Sequence, residues 1–382
     1  MNKAIYFVAA ASLALASCSN DETLDMGNQK GISFRTVAGL NSRVAEVTQS
    51  NLKGMSVTAY ENGADAAYFT DVNYTREGQT NTFVSNPEYN WLRGKTLNFL
   101  ALATSADTWT AAKTVTFDKA TNTYKTVLTD YTPDADISKH QDLMIGTASG
   151  TENKDALDLT LKHILSQIEV RAKNTNAAYV YSIKGVRIVA VKGTGTYTST
   201  ETTPWVPKEN SRVKYEVVYD DAKEVTAETA AVSVMKTEGD NAMLIPQSVT
   251  GWIAGSIGST ANDFDSYTGG TYISLLLNVK SASTGMYIYP AGSTEAAKTY
   301  GWAAVSTNNT VWKSGQKCIY TLDLSNGCGS VDPVDPGTGV TPDGTKDPEK
   351  GDKIFGDPIK FDVTVAGWSR GSGQVSFEVP LL

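Results

Sequence analysis

Most of the chain consists of short segments in which apolar and polar residues alternate. The clearest examples are 32–37, 55–60, 272–279, 318–324, 359–365 and 375–379, and the largely apolar run 97–102 is a further strand candidate. A period of two residues is that of a β-strand with one buried face. Turn-forming residues interrupt these segments roughly every 8 to 15 positions, and no long stretch has helical periodicity. The pattern therefore predicts an all-β fold of antiparallel β-sandwiches rather than βαβ units.

The alternation breaks once in a way that suggests a domain boundary. Leu157, Leu159 and Leu161 share one face of a predicted strand, and Ile168 and Val170 share a face of the next. The residues between them do not keep the period, which indicates a bend near residue 165. We therefore expect two tandem sandwich domains, residues 31–165 and 166–328.

Residues 329–352 differ in composition from the rest of the chain. Asp, Pro, Gly, Thr and Lys dominate, and four prolines oppose a sheet ladder, so the segment is predicted to be an extended linker. A calcium loop is the alternative reading of its aspartates, but the DxDxDG spacing is missing. Beyond the linker, residues 353–382 are predicted to form a pair of strands, Ile359–Val365 and Val375–Val379.

The first 22 residues have the layout of an export signal. Lys3 precedes an apolar run of about 13 residues that ends in small residues directly before Cys18. A run of that length is too short to span a membrane, which takes about 20 residues. We expect residues 1–17 to be a lipoprotein signal peptide, Cys18 to carry lipid, and 18–30 to be an acidic tether. An ordinary signal peptide with a chance cysteine is the alternative.

Charge and composition narrow the class of function. Removing residues 1–17 takes away one basic residue, Lys3, so the mature chain carries 32 basic and 41 acidic side chains. That balance opposes binding to nucleic acid. The two histidines, His140 and His163, lie in different contexts, and His163, at the end of an apolar face, reads more readily as a core residue than as a ligand. No P-loop, GxGxxG, HExxH or GxSxG pattern is present, so we expect no metal or cofactor.

Beyond Cys18 the chain has two further cysteines, Cys318 and Cys328. In an oxidising compartment they could form a disulfide that closes a small loop. The alternative is two separate thiols, with Cys318 buried in a strand.

Taken together, these motifs resemble the fimbrillin family of the Bacteroidetes, which comprises type V pilins and their tip and accessory subunits. The resemblance rests on the lipid-attachment cysteine, the ISF strand at 32–34, LTLKHILSQIEV at 159–170, MLIPQ at 243–247 and FDVTVAGW at 361–368. It extends over essentially the whole chain, although its motifs are loose. It implies two transthyretin-like sandwich domains and a surface-exposed lipoprotein of the outer membrane.

The resemblance also implies a mode of assembly. A surface protease of arginine specificity removes the first strand with its lipid, and a strand from another subunit fills the groove. In this chain the lost strand would be Ile32–Val37, and the cut would follow Arg43 rather than Arg35, which lies within the strand pattern. The donor would be the carboxy-terminal segment, either Val375–Val379 or Ile359–Val365, whose inward-facing residues are Ile359, Phe361, Val363 and Val365. The implied partners are other fimbrial subunits, the protease, and a receptor on host or bacterial cells.

Two other function classes stay open at this stage. A surface glycan-binding lipoprotein would need exposed aromatic side chains lined up as a platform for sugars. Seven tryptophans are available for that role: Trp91, Trp109, Trp205, Trp252, Trp302, Trp312 and Trp368. A glycosidase would need two carboxylates at a set separation, which the sequence cannot place.

Overall fold

The computed structural model describes residues 30–36, 52–105, 109–152, 155–228, 230–237, 240–256, 258–357, 359–367 and 375–377. In these residues the regular structure is β-strand throughout, apart from one 3₁₀ turn at Ile137–Lys139. The predicted all-β class is therefore confirmed. Nowhere in these ranges is there a helix with the length and apolar character needed to cross a membrane.

Strands up to residue 163 are mostly short and separated by turns. They are β1 (Phe34–Thr36), β2 (Gly54–Glu61), β3 (Ala67–Arg76), β4 (Thr82–Ser85), β5 (Leu97–Thr104), β6 (Thr114–Asp118), β7 (Thr123–Tyr131), β8 (Leu143–Gly150), β9 (Leu157–Leu159) and β10 (Lys162–His163).

Later strands include two of 14 residues, β12 and β15. The set is β11 (Ser166–Lys173), β12 (Tyr179–Lys192), β13 (Gly195–Thr198), β14 (Trp205–Pro207), β15 (Arg212–Val225), β16 (Val232–Ser233), β17 (Ala242–Leu244), β18 (Ser248–Val249), β19 (Tyr272–Ser281), β20 (Tyr287–Tyr289), β21 (Gly301–Ser306), β22 (Thr310–Val311), β23 (Gln316–Asp323), β24 (Ser330–Val331), β25 (Lys360–Gly367) and β26 (Val375–Phe377).

The first sheet has eight strands in the order β10-β8-β5-β2-β3-β4-β1-β9. Its two end strands, β9 and β10, are separated in the chain only by Thr160 and Leu161, so the sheet curls until its ends meet. Its interior is filled by one apolar cluster that includes Phe34, Phe69 and Phe99. The bend that the sequence predicts near residue 165 lies between β10, which ends at His163, and β11, which begins at Ser166.

The largest core lies between two six-stranded sheets. One has the order β16-β11-β23-β25-β26 with β17 attached to β11, and the other has the order β15-β12-β19-β21-β24 with β20 attached to β19. Ile168 and Tyr320 from the first sheet pack with Ile183 and Leu275 from the second in one buried cluster. The β1–β9 and β11–β23 pairs are parallel, so the ladders are not antiparallel throughout.

A four-stranded sheet, β14-β13-β7-β6, combines strands from both sides of residue 165. Its buried side chains, among them Leu128 and Trp205, pack with Leu100 and Leu102 of β5 and with Ile245 in a third cluster. The two predicted domains therefore share a sheet and a core cluster. The division at residue 165 stays a prediction.

His140 connects the parts of the chain before and after residue 165 through hydrogen bonds. Its Nε2 donates a hydrogen bond to the carbonyl oxygen of Asp134 (2.7 Å), and its Nδ1 accepts one from the backbone N–H of Met243 (3.0 Å). That pattern needs a neutral imidazole with the proton on Nε2. Desolvation, only partly opposed by the Asp134 hydrogen bond, lowers the pKa of His140 to about 4.

We expect the free energy of unfolding to fall as the pH drops from about 6.5 to about 4. In that window the unfolded chain binds a proton at His140 that the folded chain does not, and the loss should total about 1 to 3 kcal/mol. Urea unfolding at pH 7 and pH 5 measures it, and His140→Gln should remove that part of the pH dependence. An equal pH dependence in the variant would contradict the assignment.

Residues 329–352 were predicted to be an extended linker. They are instead packed against the sandwich formed by the two six-stranded sheets. β24 pairs with β21, and Val331 and Val334 are buried. The prediction was wrong because the aspartates do not serve only as solvated loop residues. Asp332, fully buried, accepts hydrogen bonds from the hydroxyl of Tyr272 (3.0 Å) and from the backbone N–H of Val334 (2.9 Å). An aspartate side chain that accepts hydrogen bonds from nearby backbone N–H groups satisfies these groups without pairing to a neighbouring strand. The prolines therefore do not prevent this segment from adopting a fixed structure.

Candidate functional site

The strand predicted to be removed, β1, lies inside the first sheet rather than at its edge. It pairs antiparallel with β4 on one side and parallel with β9 on the other. Three backbone hydrogen bonds flank it: Ile32 N–H to Tyr89 O (2.7 Å), Leu157 N–H to Ser33 O (2.9 Å) and Trp91 N–H to Lys30 O (3.3 Å). Without β1, a slot with unpaired backbone groups on both sides would separate β4 from β9.

The inward-facing residues of β1 and of the segment directly before it are part of the apolar cluster inside the first sheet. Ile32, Phe34 and Thr36 are 1%, 0% and 0% exposed. The Phe34 ring meets the rings of Tyr74 and Phe99 edge to face, with centroids 4.9 and 5.0 Å apart. Burial of Ile32 and Phe34 is worth about 1.5–3 kcal/mol for each side chain before entropy is counted. The groove under β1 is therefore deep and apolar.

Two ion pairs connect β1 and the residues before it to residues 155–158. The ammonium of Lys30, four residues before β1, pairs with Asp155, and Nη2 of Arg35, on the outward face of β1, lies 2.7 Å from Oδ1 of Asp158. The hydrogen bond and positive charge of Lys30 lower the pKa of Asp155. All four side chains are exposed, so each pair adds little stability by itself. We did not predict these two ion pairs from the sequence, although the alternation of the strand places Arg35 opposite to Phe34 and hence on the outer face.

The carboxy-terminal strand β25 is seated on its own chain. It pairs antiparallel with β23 over eight residues, from Gln316↔Gly367 to Asp323↔Lys360. Of the predicted donor residues, Ile359 and Val363 are buried, and Phe361 and Val365 are half-buried against the largest core. Residues 375–377 form β26 on the far side of β25. Donation of β25 is not tested by this arrangement and stays a proposal.

Several predicted site residues lie elsewhere. Cys18, which was expected to carry lipid, and Arg43, which was expected to be the processing site, are outside the described residues. Arg35 is part of β1, as its place in the alternation predicts. His163 is buried, with Nδ1 2.8 Å from Oδ2 of the fully buried Asp142, which agrees with a core role. Across the described ranges, no group of three or more His, Cys, Asp or Glu side chains could hold a metal ion.

Cys318 and Cys328 are both buried and free, so the suggested disulfide is not formed. The physical reason is that Cys318 lies within β23, whose extension carries the chain about 16 Å from Cys318 to Asp323 before it turns. The ten-residue spacing therefore does not describe a compact loop. Burial raises the pKa of Cys318 to about 12 and that of Cys328 well above its ordinary value.

We expect neither of these thiols to react with a thiol reagent in the folded protein at pH 8. Desolvation keeps both protonated and inaccessible, and the thiolate is the reactive form. Intact-mass analysis after alkylation with and without denaturant measures this, and both should react fully once the chain is unfolded. Alkylation of either cysteine in the folded protein as fast as in the denatured protein would contradict their burial.

An exposed tryptophan platform for sugars does not occur in the described part of the chain. Of the six tryptophans that it contains, Trp109 is half-buried and the others are at most 6% exposed: Trp91, Trp205, Trp252, Trp302 and Trp312. Their rings serve the cores, as β-rich domains usually require. Trp368 lies outside the described residues.

A family model described as fimbrillin-like matches residues 42–341. The chain belongs to the fimbrillin-like family. This membership supports an adhesive fimbrial subunit at the cell surface. The matched region begins after β1 and ends before β25, so the match does not itself bear on either strand.

Solved structures similar to this fimbrillin-like chain include candidate cell adhesion proteins. One from Bacteroides uniformis has 11% sequence identity and a TM-score of 0.43, and the match covers 88% of this chain and 98% of that one. One from Parabacteroides distasonis has 10% identity and a TM-score of 0.43, and it covers 90% and 98%. Among curated proteins, no sequence matches significantly.

Proposed function

We propose that the chain is a structural and adhesive subunit of a cell-surface fimbria, and not an enzyme. It is exported as a lipoprotein, anchored in the outer membrane through Cys18, and cut by an arginine-specific protease after Arg43. The cut frees β1 to leave, and a strand from another fimbrial subunit takes its place. Family membership supports the first statement, and the placement of β1 supports the last.

The observation that carries the assembly step is the combination of a short strand and a deep groove. β1 contributes only three strand residues, yet its Phe34 is completely buried between two neighbouring strands. A strand of about seven residues could bring several backbone hydrogen bonds worth about 1 kcal/mol each and bury three side chains. Strand addition of this kind combines main-chain affinity with side-chain pockets that give specificity.

The test uses the mature protein cut by an arginine-specific protease, which is then inhibited. A fluorescent peptide with the sequence of residues 30–37 is added, and its incorporation is followed by size-exclusion chromatography. We expect the cut protein to exchange its resident strand for the peptide and the uncut protein not to. A peptide with Phe34→Ala is the matched control and should not enter. Failure of the cut protein to take up the peptide would contradict strand exchange.

A further inference from the structure

We propose that the groove under β1 selects donor strands that carry a cation at each of two positions, and so rejects the carboxy-terminal strand of its own chain. The inference rests on the strand exchange proposed above. It identifies the partner as a different subunit, whose donor has a basic residue two positions before a buried isoleucine-like residue and another directly after a buried aromatic one.

The first observation is the charge along the rim of the groove. Asp155 pairs with Lys30, which precedes β1, and Asp158 pairs with Arg35 on the outward face of β1. Asp158 is also the direct register partner of Arg35 in the parallel β1–β9 ladder. Departure of β1 therefore leaves two carboxylates without their cations, at fixed positions along any strand that enters.

The second observation is in the sequence of the carboxy-terminal strand. Aligned on Ile32 with Ile359 and Phe34 with Phe361, the segment reproduces two of the three inward-facing residues, and Val363 takes the place of Thr36. In the same alignment Asp357 takes the place of Lys30 and Asp362 takes the place of Arg35. The segment thus brings two negative charges to the two positions that hold Lys30 and Arg35. It also brings one cation, Lys360, to the position of Ser33, whose hydroxyl donates a hydrogen bond to the carbonyl oxygen of Asp155, so its net charge at these three positions is −1 where the first segment has +2.

A third mismatch lies between those charges. Pro358 takes the place of Gly31, where a Cβ atom would collide with the carboxylate of Glu88. Gly31 also lies opposite Asn90 in a backbone bridge, so the entering chain would have to approach Tyr89 and Trp91 with the proline ring in the place of the glycine. An entering copy of the carboxy-terminal strand would have to displace Glu88, which is a third acidic side chain beside the groove.

The present position of β25 adds a cost to donation. Ile359, directly before β25, and Val363, within it, are both buried, so leaving would expose both side chains and uncover the edge of β23. Like charges placed opposite each other between strands are unfavourable, and each pair contributes modestly when exposed. Two reversed pairs act in the same direction, so we expect a preference of about 10-fold at low salt between strands that differ only in these charges.

The experiment compares three peptides as competitors for the resident strand in the cut full-length protein. They are residues 30–37, residues 357–364, and residues 357–364 with Asp357→Lys and Asp362→Arg. At about 0.05 M salt the charge-reversed peptide should bind about 10-fold more tightly than its parent. In 1 M salt, where the Debye length is about 3 Å, the difference should shrink to about 2-fold. A parent peptide with Pro358→Gly separates the proline mismatch from the charges.

A reciprocal variant of the protein completes the test. Asp155 and Asp158 are exposed, so the double variant Asp155→Lys, Asp158→Lys should fold, and it should prefer the parent peptide over the charge-reversed one. Equal binding of both peptides, or a preference that persists in the variant and in high salt, would overturn charge selection while leaving strand exchange intact. If the peptide of residues 30–37 also fails to bind, strand exchange itself is wrong and this inference falls with it.

Discussion

Replacement of Phe34 by alanine in the full-length protein should lower the free energy of unfolding of the first sheet by about 3–5 kcal/mol. The ring is fully buried and fills the space between Tyr74 and Phe99, and the sheet that closes around it cannot collapse onto the gap without moving β4 and β9. Urea unfolding followed by tryptophan fluorescence reports on this region, because Trp91 packs on Phe99 with ring centroids 5.6 Å apart.

Arg35→Ala is the matched control, since it alters the neighbouring residue of the same strand. Its exposed ion pair with Asp158 should contribute less than about 1 kcal/mol. A loss of less than about 1 kcal/mol in Phe34→Ala would mean that β1 contributes little to the sheet. It would also remove the main support for an apolar groove beneath it.

Replacement of Arg187 by methionine should lower the free energy of unfolding of the sandwich formed by the two six-stranded sheets by about 3 kcal/mol or more. The guanidinium is 6% exposed, stacks on Trp302 with 3.8 Å to the ring centroid, and pairs with Glu216 and with Asp335 (2.9 Å). Its Nη1 lies 3.8 Å from Oδ2 of Asp332, which is fully buried. Removal of the cation leaves this carboxylate uncompensated, which is the costly way to break a buried pair.

The pH dependence of that loss identifies its cause. Burial raises the pKa of Asp332, so the folded protein holds a proton there over a range in which the unfolded chain has released it. Stability associated with Asp332 therefore increases as the pH falls, and the defect of Arg187→Met should shrink at pH 5 relative to pH 8. Arg187→Met combined with Asp332→Asn should recover part of the loss. Lys119→Met, which breaks an exposed ion pair with Asp65, is the control and should have little effect.

Structural features of this chain are predictable from its sequence where the signal is local. Alternation in 55–60 and 318–324 correctly predicted β2 and β23, because period two follows directly from strand geometry. The linker prediction for 329–352 failed for the opposite reason. Its prolines and aspartates carry information about local backbone preference, whereas its fixed conformation depends on Tyr272 of β19 and on β21, which are distant in sequence.

The same distinction applies to the groove. The sequence marked Ile32–Val37 as a strand in which apolar and polar residues alternate, but Asp155 and Asp158 follow more than 110 residues later and could not be assigned to it. Their proximity depends on the parallel β1–β9 pairing, which closes the sheet. For Cys318 and Cys328 the local signal was present, since the alternation in 318–324 predicted the extended strand that now separates the two thiols.

By itself the sequence determined the all-β class, many strand positions and the face periodicity of the alternating strands. These follow from the two-residue period and the placement of turn residues, which act over a few positions. Tertiary structure alone decided that β1 is an interior strand, that its cations meet two aspartates, and that the carboxy-terminal strand sits on β23. The reason is that strand order and register depend on which distant faces bury one another, and that choice is made by packing across the whole molecule.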